Sequence, residues 1–449
     1  MKTSLCAGFG RADISPTLPT PLGGYGQSQN RLHTTLLDPL YATCIAFTEG
    51  ADTFLLFTVD AVRSHGPWTD TVRDALTAAY GIPGGNVQIV STHSHSAPDT
   101  LSDLPVVTQT YARCYTEGLL AAARQAMEDR SQVTLHSGST MTEQLTFVRH
   151  IRMNDGSVAG PNFGSWASGV KDYVVPNDPQ MLLVRLEREG KQDILMMNFQ
   201  SHATLTGGFD KTDISADYIG ICRQKLEEET GMHVAFFLGA CGNQTPVSFI
   251  PRDNDVMPFP DKFTERNPVS YGTALAYYAL DLLPRLTLLP GTGIQTVTQT
   301  VTVRTNKNAD VTRLADARAV VELWKTEDRK AGNKLARQLG FDSVYEASAL
   351  LGQGNLPESR DIIVSATRIG GLNFVNAPYE MFSTNSLYIK DKAPGAFTMV
   401  FTQSNQAWGY ITDRKAHEYK CYENFGGSFA PGSGELLAET MVEMLHRIQ

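Results

Sequence analysis

Two histidines, His93 and His95, are separated by a single residue and closely follow a short apolar run at residues 87–90. Imidazole is a common metal ligand, and it is the side chain whose unperturbed pKa best suits proton transfer near neutral pH. Residues i and i+2 of an extended segment face the same side, so both rings are predicted to reach one cavity at a strand end. The alternative is a solvated turn, because a single His-X-His pair is a weak signal.

Polar or titratable residues also follow five further apolar runs, at residues 54–59, 193–199, 234–238, 372–375 and 398–402. Each run has the length and composition of a buried strand. Open α/β sheets bind ligands beyond the carboxyl ends of their strands, so these strand ends predict one polar pocket. In chain order, these runs are followed by Asp60, His202, a small-residue turn at 239–246 and Glu380. Tyr410 comes a few residues after the last run, 398–402.

This set of side chains predicts a divalent metal, and zinc fits best. Catalytic zinc is usually held by imidazole and carboxylate groups and keeps one position for water. The six cysteines have no Cys-X-X-Cys spacing, which leaves a thiolate cluster unsupported, and Cys241 is interpreted as a packing residue. Tyr410 could be a hydrogen-bonding neighbour rather than a ligand, because its phenol has an ordinary pKa near 10.

Helical patterns lie between these strands and predict an α/β fold with a mixed sheet core and flanking helices. Residues 310–352 form a charged, Ala- and Leu-rich insertion that is predicted to be helical, with breaks at Gly332 and Gly340. Asp60 and Asp217 each have two interpretations, a partner for a ligand imidazole or a helix N-cap. The glycine-rich residues 23–26 could line a pocket or connect surface elements. The predicted helices are 68–80, 108–127, 217–229, 270–283 and a final helix ending near 446–448.

Composition excludes several classes of function. The net charge of −9, without a cluster of Lys and Arg, argues against a nucleic-acid-binding protein. The N-terminus lacks the apolar core of a signal peptide, and no run approaches the roughly 18 apolar residues of a membrane span. We therefore expect a cytoplasmic protein without a transmembrane segment, built as one catalytic domain over residues 1–449.

With these residues in hand, the chain resembles the catalytic domain of the neutral/alkaline non-lysosomal ceramidases, from Gly8 to about Gly427. Residues 92–98 (Thr-His-Ser-His-Ser-Ala-Pro) are similar to the family's Thr-His-Thr-His-Ser-Gly-Pro segment. The resemblance implies that His93 is a zinc ligand and that His95 works beside the substrate. By the same resemblance, the remaining zinc ligands are His202, Glu380 in residues 378–380 (Pro-Tyr-Glu), and Tyr410 in residues 410–413 (Tyr-Ile-Thr-Asp).

Two further pocket residues follow from the resemblance. Tyr422 lies twelve positions after Tyr410, the interval that separates the family's ligand tyrosine from its pocket tyrosine. Arg149, in residues 147–150 (Phe-Val-Arg-His), is the nearest match to the family's pocket arginine. Both residues are therefore expected to orient the substrate.

The chain departs from the family at its nucleophile. Ceramidases carry serine in a Gly-Asp-X-Ser-Pro turn, whereas residues 242–246 here read Gly-Asn-Gln-Thr-Pro, with Thr245 in the serine's place. A β-branched side chain is stiffer and its oxygen is more crowded. Thr245 could attack the substrate, orient a zinc-bound water, or be structural.

The resemblance implies a zinc-dependent hydrolase of a linear amide, with an N-acyl compound as substrate and ceramide as the family's reference. The family's C-terminal β-sandwich domain is expected to be absent. Two alternatives remain open: a zinc esterase in the same pocket, and a metal-bearing binding protein without turnover.

Overall fold

The computed structural model describes residues 4–25, 31–161, 163–208, 210–248, 267–307, 311–326, 329–395 and 397–449. The strands are β1 (Cys6–Asp13), β2 (Thr35–Leu36), β3 (Tyr41–Glu49), β4 (Asp52–Val59), β5 (Val87–Ser91), β6 (Ser131–Met141), β7 (Phe147–Val148), β8 (Ile151–Met153), β9 (Val158–Ala159), β10 (Val170–Tyr173), β11 (Gln180–Arg188), β12 (Ile194–Phe199), β13 (Asp213–Ile214), β14 (His233–Leu238), β15 (Gln244–Thr245), β16 (Thr287–Leu288), β17 (Ile294–Arg304), β18 (Ser359–Ile369), β19 (Leu372–Asn376), β20 (Glu380–Met381), β21 (Thr398–Phe401) and β22 (Tyr410–Ile411).

The helices are α1 (Gly66–Tyr80), α2 (Ala112–Glu128), α3 (Asp217–Thr230), α4 (Pro268–Leu282), α5 (Leu314–Thr326), α6 (Arg329–Gln338), α7 (Val344–Gln353), α8 (Ser383–Lys392), α9 (Tyr422–Gly426) and α10 (Ser433–Arg447). The sequence of α1 explains its boundaries and its packing. Trp68, Val72 and Leu76 recur every fourth residue and form its buried face. Gly81 ends the helix in the left-handed region, at φ 68°.

Two sheets form the core of the described chain. The larger has nine strands in the order β14-β12-β11-β6-β1-β3-β4-β5, with β16 also paired to β6. Its β4–β5 and β12–β14 pairs are parallel and its other pairs antiparallel, so the sheet is mixed, as predicted. The smaller sheet has the order β17-β18-β19-β21, and β19 pairs with β21 in parallel.

The nine-stranded sheet coils until its two ends meet. The hydroxyl of Thr58 on β4 donates to the backbone carbonyl of Phe236 on β14 at 2.5 Å, although these strands lie near opposite ends of the strand order. Coiling follows from the right-handed twist that strands of L-residues accumulate across a sheet. It brings the carboxyl end of β5 close to those of β12 and β14.

Four clusters of buried side chains hold helices and sheets together. One cluster lies between the two sheets, where Phe54 packs on Phe374 and Phe237 packs on Phe401. On the outer face of the large sheet, α1 and α2 cover one half and α3 and α4 cover the other. The remaining face of the small sheet packs against α8 and α10. Buried apolar side chains thus join the two sheets on which the candidate site residues are placed.

The six apolar runs are confirmed as β4, β5, β12, β14, β19 and β21, and the predicted fold class is confirmed with them. The insertion is helical as predicted and contains α5, α6 and α7. Gly332 does not break it but lies inside α6, where a Cβ would come within 3.1 Å of Trp324. That glycine permits close packing, whereas Gly340 does end a helical segment, at φ +79°.

No helix in the described part of the chain is both long and apolar enough to cross a bilayer. The cytoplasmic location and the single-domain organisation stay predictions.

Candidate metal centre

His93 and His95 converge, but not in the way that the sequence suggested. Strand β5 ends at Ser91, and His93 adopts a left-handed backbone conformation, with φ +62°. The two rings therefore do not face one side of an extended segment, and that part of the prediction is wrong. A turn brings them together instead, with their Nε2 atoms 3.2 Å apart. Left-handed backbone is uncommon for residues other than glycine and is concentrated at functional sites.

Backbone carbonyls orient the rings of His93 and His202. Nδ1 of His93 donates to the carbonyl of Val62 at 2.5 Å, and Nδ1 of His202 donates to that of Cys241 at 2.6 Å. Their Nε2 atoms therefore carry lone pairs, and these two atoms face each other at 3.2 Å. Burial, followed by the charge of Arg149, lowers the pKa of His202, which favours the neutral form that metal binding requires.

Glu380 completes a triangle of donor atoms. Its Oε2 lies 3.4 Å from Nε2 of His93 and 3.2 Å from Nε2 of His202. Oε2 is buried without a conventional hydrogen-bond partner. Burial raises the pKa of this carboxyl, but His93 and His202 outweigh it and hold the pKa well below its usual range.

The triangle has the dimensions of a metal site. Two donors about 2.0–2.1 Å from a tetrahedral zinc are roughly 3.4 Å apart, and the three edges here are 3.2, 3.2 and 3.4 Å. Two nitrogen lone pairs and a carboxylate oxygen repel one another at this separation unless a proton or a metal cation lies between them. Two nitrogens and one oxygen are a donor set that zinc accepts, so the residues fit the predicted metal.

His95 borders this triangle. One ring nitrogen from each of His93, His95 and His202 lies within 4.8 Å of the other two. Burial, followed by His93 and His202, lowers the pKa of His95 well below its usual value. Its Nδ1 is buried without a hydrogen-bond partner.

Tyr410 is placed beside Glu380 by strand pairing. Strands β20 and β22 are parallel, with Glu380 opposite Tyr410 in the register, so both side chains emerge on the same face. The Tyr410 ring stacks on that of His202 with centroids 6.5 Å apart. Its hydroxyl accepts a hydrogen bond from Nη2 of Arg149 at 3.2 Å. Burial raises the pKa of Tyr410 well above its usual value, with a further contribution from Glu380.

Arg149 and Tyr422 lie on the other side of Tyr410. The guanidinium of Arg149 is over both rings, 5.6 Å from the centroid of Tyr410 and 5.7 Å from that of Tyr422. Nε of Arg149 donates to Glu423 at 2.6 Å, and Nη2 also donates to the carbonyl of Gly242. The structure thus brings both predicted pocket residues next to Tyr410.

Two residues of this network, Glu423 and His150, were missed as functional candidates. The second oxygen of Glu423 lies 2.7 Å from Nε2 of His150, whose Nδ1 contacts the hydroxyl of Tyr419 at 2.8 Å. These groups use each other's hydrogen-bonding capacity, so the cluster supports Arg149 rather than offering a second metal site. Both residues are adjacent in sequence to a predicted pocket residue, and that adjacency was the available signal.

Thr245 lies in the turn that contacts His202. The carbonyl of Gln244 accepts from the backbone N–H of His202 at 3.2 Å, and Thr245 pairs with Phe147 between β15 and β7. Thr245 is buried, with 7% of its surface exposed. Close packing requires Gly242 in this turn, because a Cβ there would be 2.7 Å from the carbonyl oxygens of Glu380 and Met381.

The glycine-rich loop lines the site through its described residues 23–25; Gly26 lies outside them. A Cβ on Gly24 would be 2.4 Å from the ring of His95, and the Tyr25 ring packs edge-on against that imidazole. Of the two undecided carboxylates, Asp60 forms an ion pair with Arg223 at 2.8 Å. Asp217 is the first residue of α3 and accepts from the backbone N–H of Thr206. Within the described chain, no hydrogen bond or ion pair joins Asp60 or Asp217 to the imidazole of His93 or His202.

Searches of protein-family models and of curated proteins found no match to this chain. Solved structures do match it. The crystal structure of neutral ceramidase from Pseudomonas aeruginosa gives a TM-score of 0.72 at 16% identity and covers 100% of this chain and 75% of that one. This chain has the neutral ceramidase fold. A ceramidase complexed with C2 gives the same TM-score and identity over 99% of this chain.

The neutral ceramidase fold confirms the resemblance recognised from the sequence motifs. At 16% identity the likeness concerns the fold, so the chemistry of the site must be argued from the residues of this chain.

Proposed function

We propose that this protein is a zinc-dependent hydrolase of linear amides, with N-acyl compounds, ceramide-like or smaller, as substrates. The observation that carries the proposal is the triangle of His93, His202 and Glu380 beside two further titratable groups, His95 and Tyr410. Amide hydrolysis needs a polarised carbonyl, an activated nucleophile and a proton for the leaving amine. This site has a candidate group for each requirement.

In this proposal His93, His202, Glu380 and Tyr410 hold the metal. When bound, zinc supplies a Lewis acid that polarises the amide carbonyl and makes a water molecule easier to deprotonate. The lone pairs that face one another between His93 and His202 support both histidines as ligands. Tyr410 shares its face of the sheet with Glu380. Burial and Glu380 raise the pKa of Tyr410, and the charge of Arg149, which donates a hydrogen bond to its hydroxyl, acts in the opposite direction.

His95 is the proposed proton-transfer group. The lowered pKa of its imidazole, due chiefly to burial, keeps the ring neutral near pH 7 and able to accept a proton from the nucleophile. The same proton can then pass to the leaving amine. Nε2 of His95 lies 3.2 Å from Nε2 of His93, and this distance supports a role next to the proposed metal ligands.

Arg149 and Tyr422 orient the substrate in this proposal. Burial lowers the pKa of Arg149, but Glu423 and Tyr410 outweigh it and raise the pKa, so the guanidinium stays charged. A fixed, charged donor at this position can stabilise the oxyanion that develops as the carbonyl is attacked. Tyr422, which contacts both Arg149 and Tyr410, supplies an aromatic wall.

For Thr245 we propose that it orients the attacking water rather than attacking the substrate itself. The carbonyl of Gln244, the residue before Thr245, accepts from the backbone N–H of His202, which supports a role for Thr245 near this proposed ligand. Its methyl group restricts the side chain where a serine would be free to rotate.

The proposal is tested with zinc-loaded protein and a panel of N-acyl amides of varied acyl chain and amine, each paired with the matched ester. Release of amine from at least one amide is the expected result. Turnover of esters alone would favour the esterase alternative. Tight binding without turnover of either would favour a binding protein.

A further inference from the structure

Within the described residues, the side chain of Arg63 has no hydrogen-bond or ion-pair partner. That side chain is partly buried, and its Nε is fully enclosed. Enclosing a charged donor without an acceptor costs free energy, so buried arginines are normally paired. The buried arginines near this site follow that rule, since Arg149 pairs with Glu423 and Arg223 pairs with Asp60.

The backbone of Arg63 is fixed at the edge of the metal centre. Arg63 directly follows Val62, whose carbonyl holds the ring of His93 at 2.5 Å. The carbonyl of Arg63 accepts from the hydroxyl of Thr100 at 3.0 Å, which ties it to the segment that follows His95. The backbone of Arg63 is therefore anchored beside the segment that carries His93 and His95.

The nearby carboxylates already have partners, because Asp60 is paired with Arg223 and Glu380 faces His93 and His202. The charge that would balance Arg63 is thus absent from the described residues around it.

A second polar group, on the loop that contacts Ser64, is also unsatisfied. The hydroxyl of Ser64, next to Arg63, bonds to the backbone carbonyl of Gln403 at 3.2 Å. The amide oxygen Oε1 of Gln403 is buried without a partner, and Gln403 has a left-handed backbone, with φ 55°. Ser64 thus joins two loops that each carry an unsatisfied polar atom, a donor on Arg63 and an acceptor on Gln403. Such atoms indicate a site for a polar ligand group.

We infer that Arg63 binds an anionic group of the substrate, so that the amides hydrolysed here carry a carboxylate or phosphate close to the scissile bond. The planar guanidinium matches both anions with paired hydrogen bonds. This inference rests on the proposed function, since it names a substrate class for the same site. It distinguishes this protein's substrates from neutral N-acyl amides.

The first test compares three amides with one acyl chain: N-dodecanoylglycine, N-dodecanoylethanolamine phosphate and neutral N-dodecanoylethanolamine. We expect kcat/KM to favour one of the anionic amides over the neutral one by about tenfold or more, as loss of a charged hydrogen bond implies. The identity of the preferred amide separates carboxylate from phosphate. Arg63→Met should bring the ratio towards one, and Arg63→Lys should give an intermediate ratio.

Arg124→Met is the matched control, because Arg124 is exposed on α2 and its replacement changes the net charge equally. The control should keep the wild-type ratio. Equal rates for all three amides in the wild type, or a ratio that Arg63→Met leaves unchanged, would overturn the inference while leaving the hydrolase intact.

The second test measures binding without chemistry. Sulfonamide analogues of the same compounds replace the scissile carbonyl with a tetrahedral sulfonyl group and resist hydrolysis. Their affinity for zinc-loaded protein can be measured by calorimetry. We expect the anionic analogue to bind about tenfold more tightly than the neutral one, and Arg63→Met to remove that difference. If this holds and no amide is hydrolysed, the anion site stands and the proposed function fails. If no analogue shows an Arg63-dependent preference, the inference is wrong.

Discussion

Oε2 of Glu380 lies 3.2 Å from Nε2 of His202, although Glu380 follows the four-stranded sheet and His202 follows the nine-stranded sheet. A metal held by both residues would join the two sheets as well as serve the chemistry. The site should therefore contribute to stability, because binding to the folded state alone shifts the folding equilibrium towards it.

Metal removal is accordingly expected to destabilise the protein. At a free metal concentration a thousandfold above Kd, binding adds about 4 kcal/mol to the free energy of unfolding. Thermal unfolding with zinc and after chelation measures the effect. Glu380→Gln should show little response to zinc, whereas Glu439→Gln, an exposed change on α10, should respond like the wild type. An equal response in both variants would remove Glu380 from the ligand set.

Replacement of His93 and of His95 by alanine should have different effects on metal content and on turnover. His93→Ala loses a donor of the triangle and should release the metal. His95→Ala should keep the metal and lose turnover by about 10²–10⁴-fold, the usual contribution of a proton-transfer group. Metal content and kcat measured on the same preparations separate the two roles. Loss of metal from His95→Ala as readily as from His93→Ala would make His95 a ligand.

These roles could be predicted from the sequence only in part. The strand ends were predictable, because short apolar runs stop sharply before His93, His202 and Glu380. The left-handed turn at His93 was not, because local sequence does not specify φ for a residue other than glycine. The coiling that brings β5 to β12 depends on twist accumulated over the whole sheet.

Long-range partners were also beyond prediction from one sequence. Asp60 stands at a strand end, as the site residues do, yet it pairs with Arg223 on α3. Glu423 was passed over although it holds Arg149. In both cases the deciding contact joins residues far apart in the chain, and neither periodicity nor composition records it.

Thr245 is tested with two substitutions. If water attacks directly, Thr245→Val keeps the shape, deletes the hydroxyl and should cost only about ten- to a hundredfold in kcat. Thr245→Ser should retain or raise activity, because serine has less crowding around its oxygen. A Thr245→Val protein with intact zinc content, normal folding and no detectable turnover would assign covalent attack to Thr245.

Glu423 should contribute to stability in acid. Burial raises its pKa, but His150 and Arg149 outweigh it and lower the pKa to about 2 from an ordinary 4.5. Because the folded-state pKa is depressed, the contribution is complete above about pH 4.5 and is lost as pH falls towards 2, up to about 3 kcal/mol.

Urea unfolding of the wild type and Glu423→Gln across this pH range measures that contribution. The gap in unfolding free energy between the two proteins should narrow as the pH falls. A gap that stays constant from pH 5 to about pH 2 would show that the Glu423 carboxylate is not the titrating group.

Metal content tests the central claim most directly. Elemental analysis after mild dialysis should find about one zinc per chain in the wild type, since we propose one set of ligands, and much less in His93→Ala and His202→Ala. Amide hydrolysis should vanish on chelation and return on addition of zinc. A wild-type protein that binds no divalent metal, and gains no activity when zinc is supplied, would contradict the account.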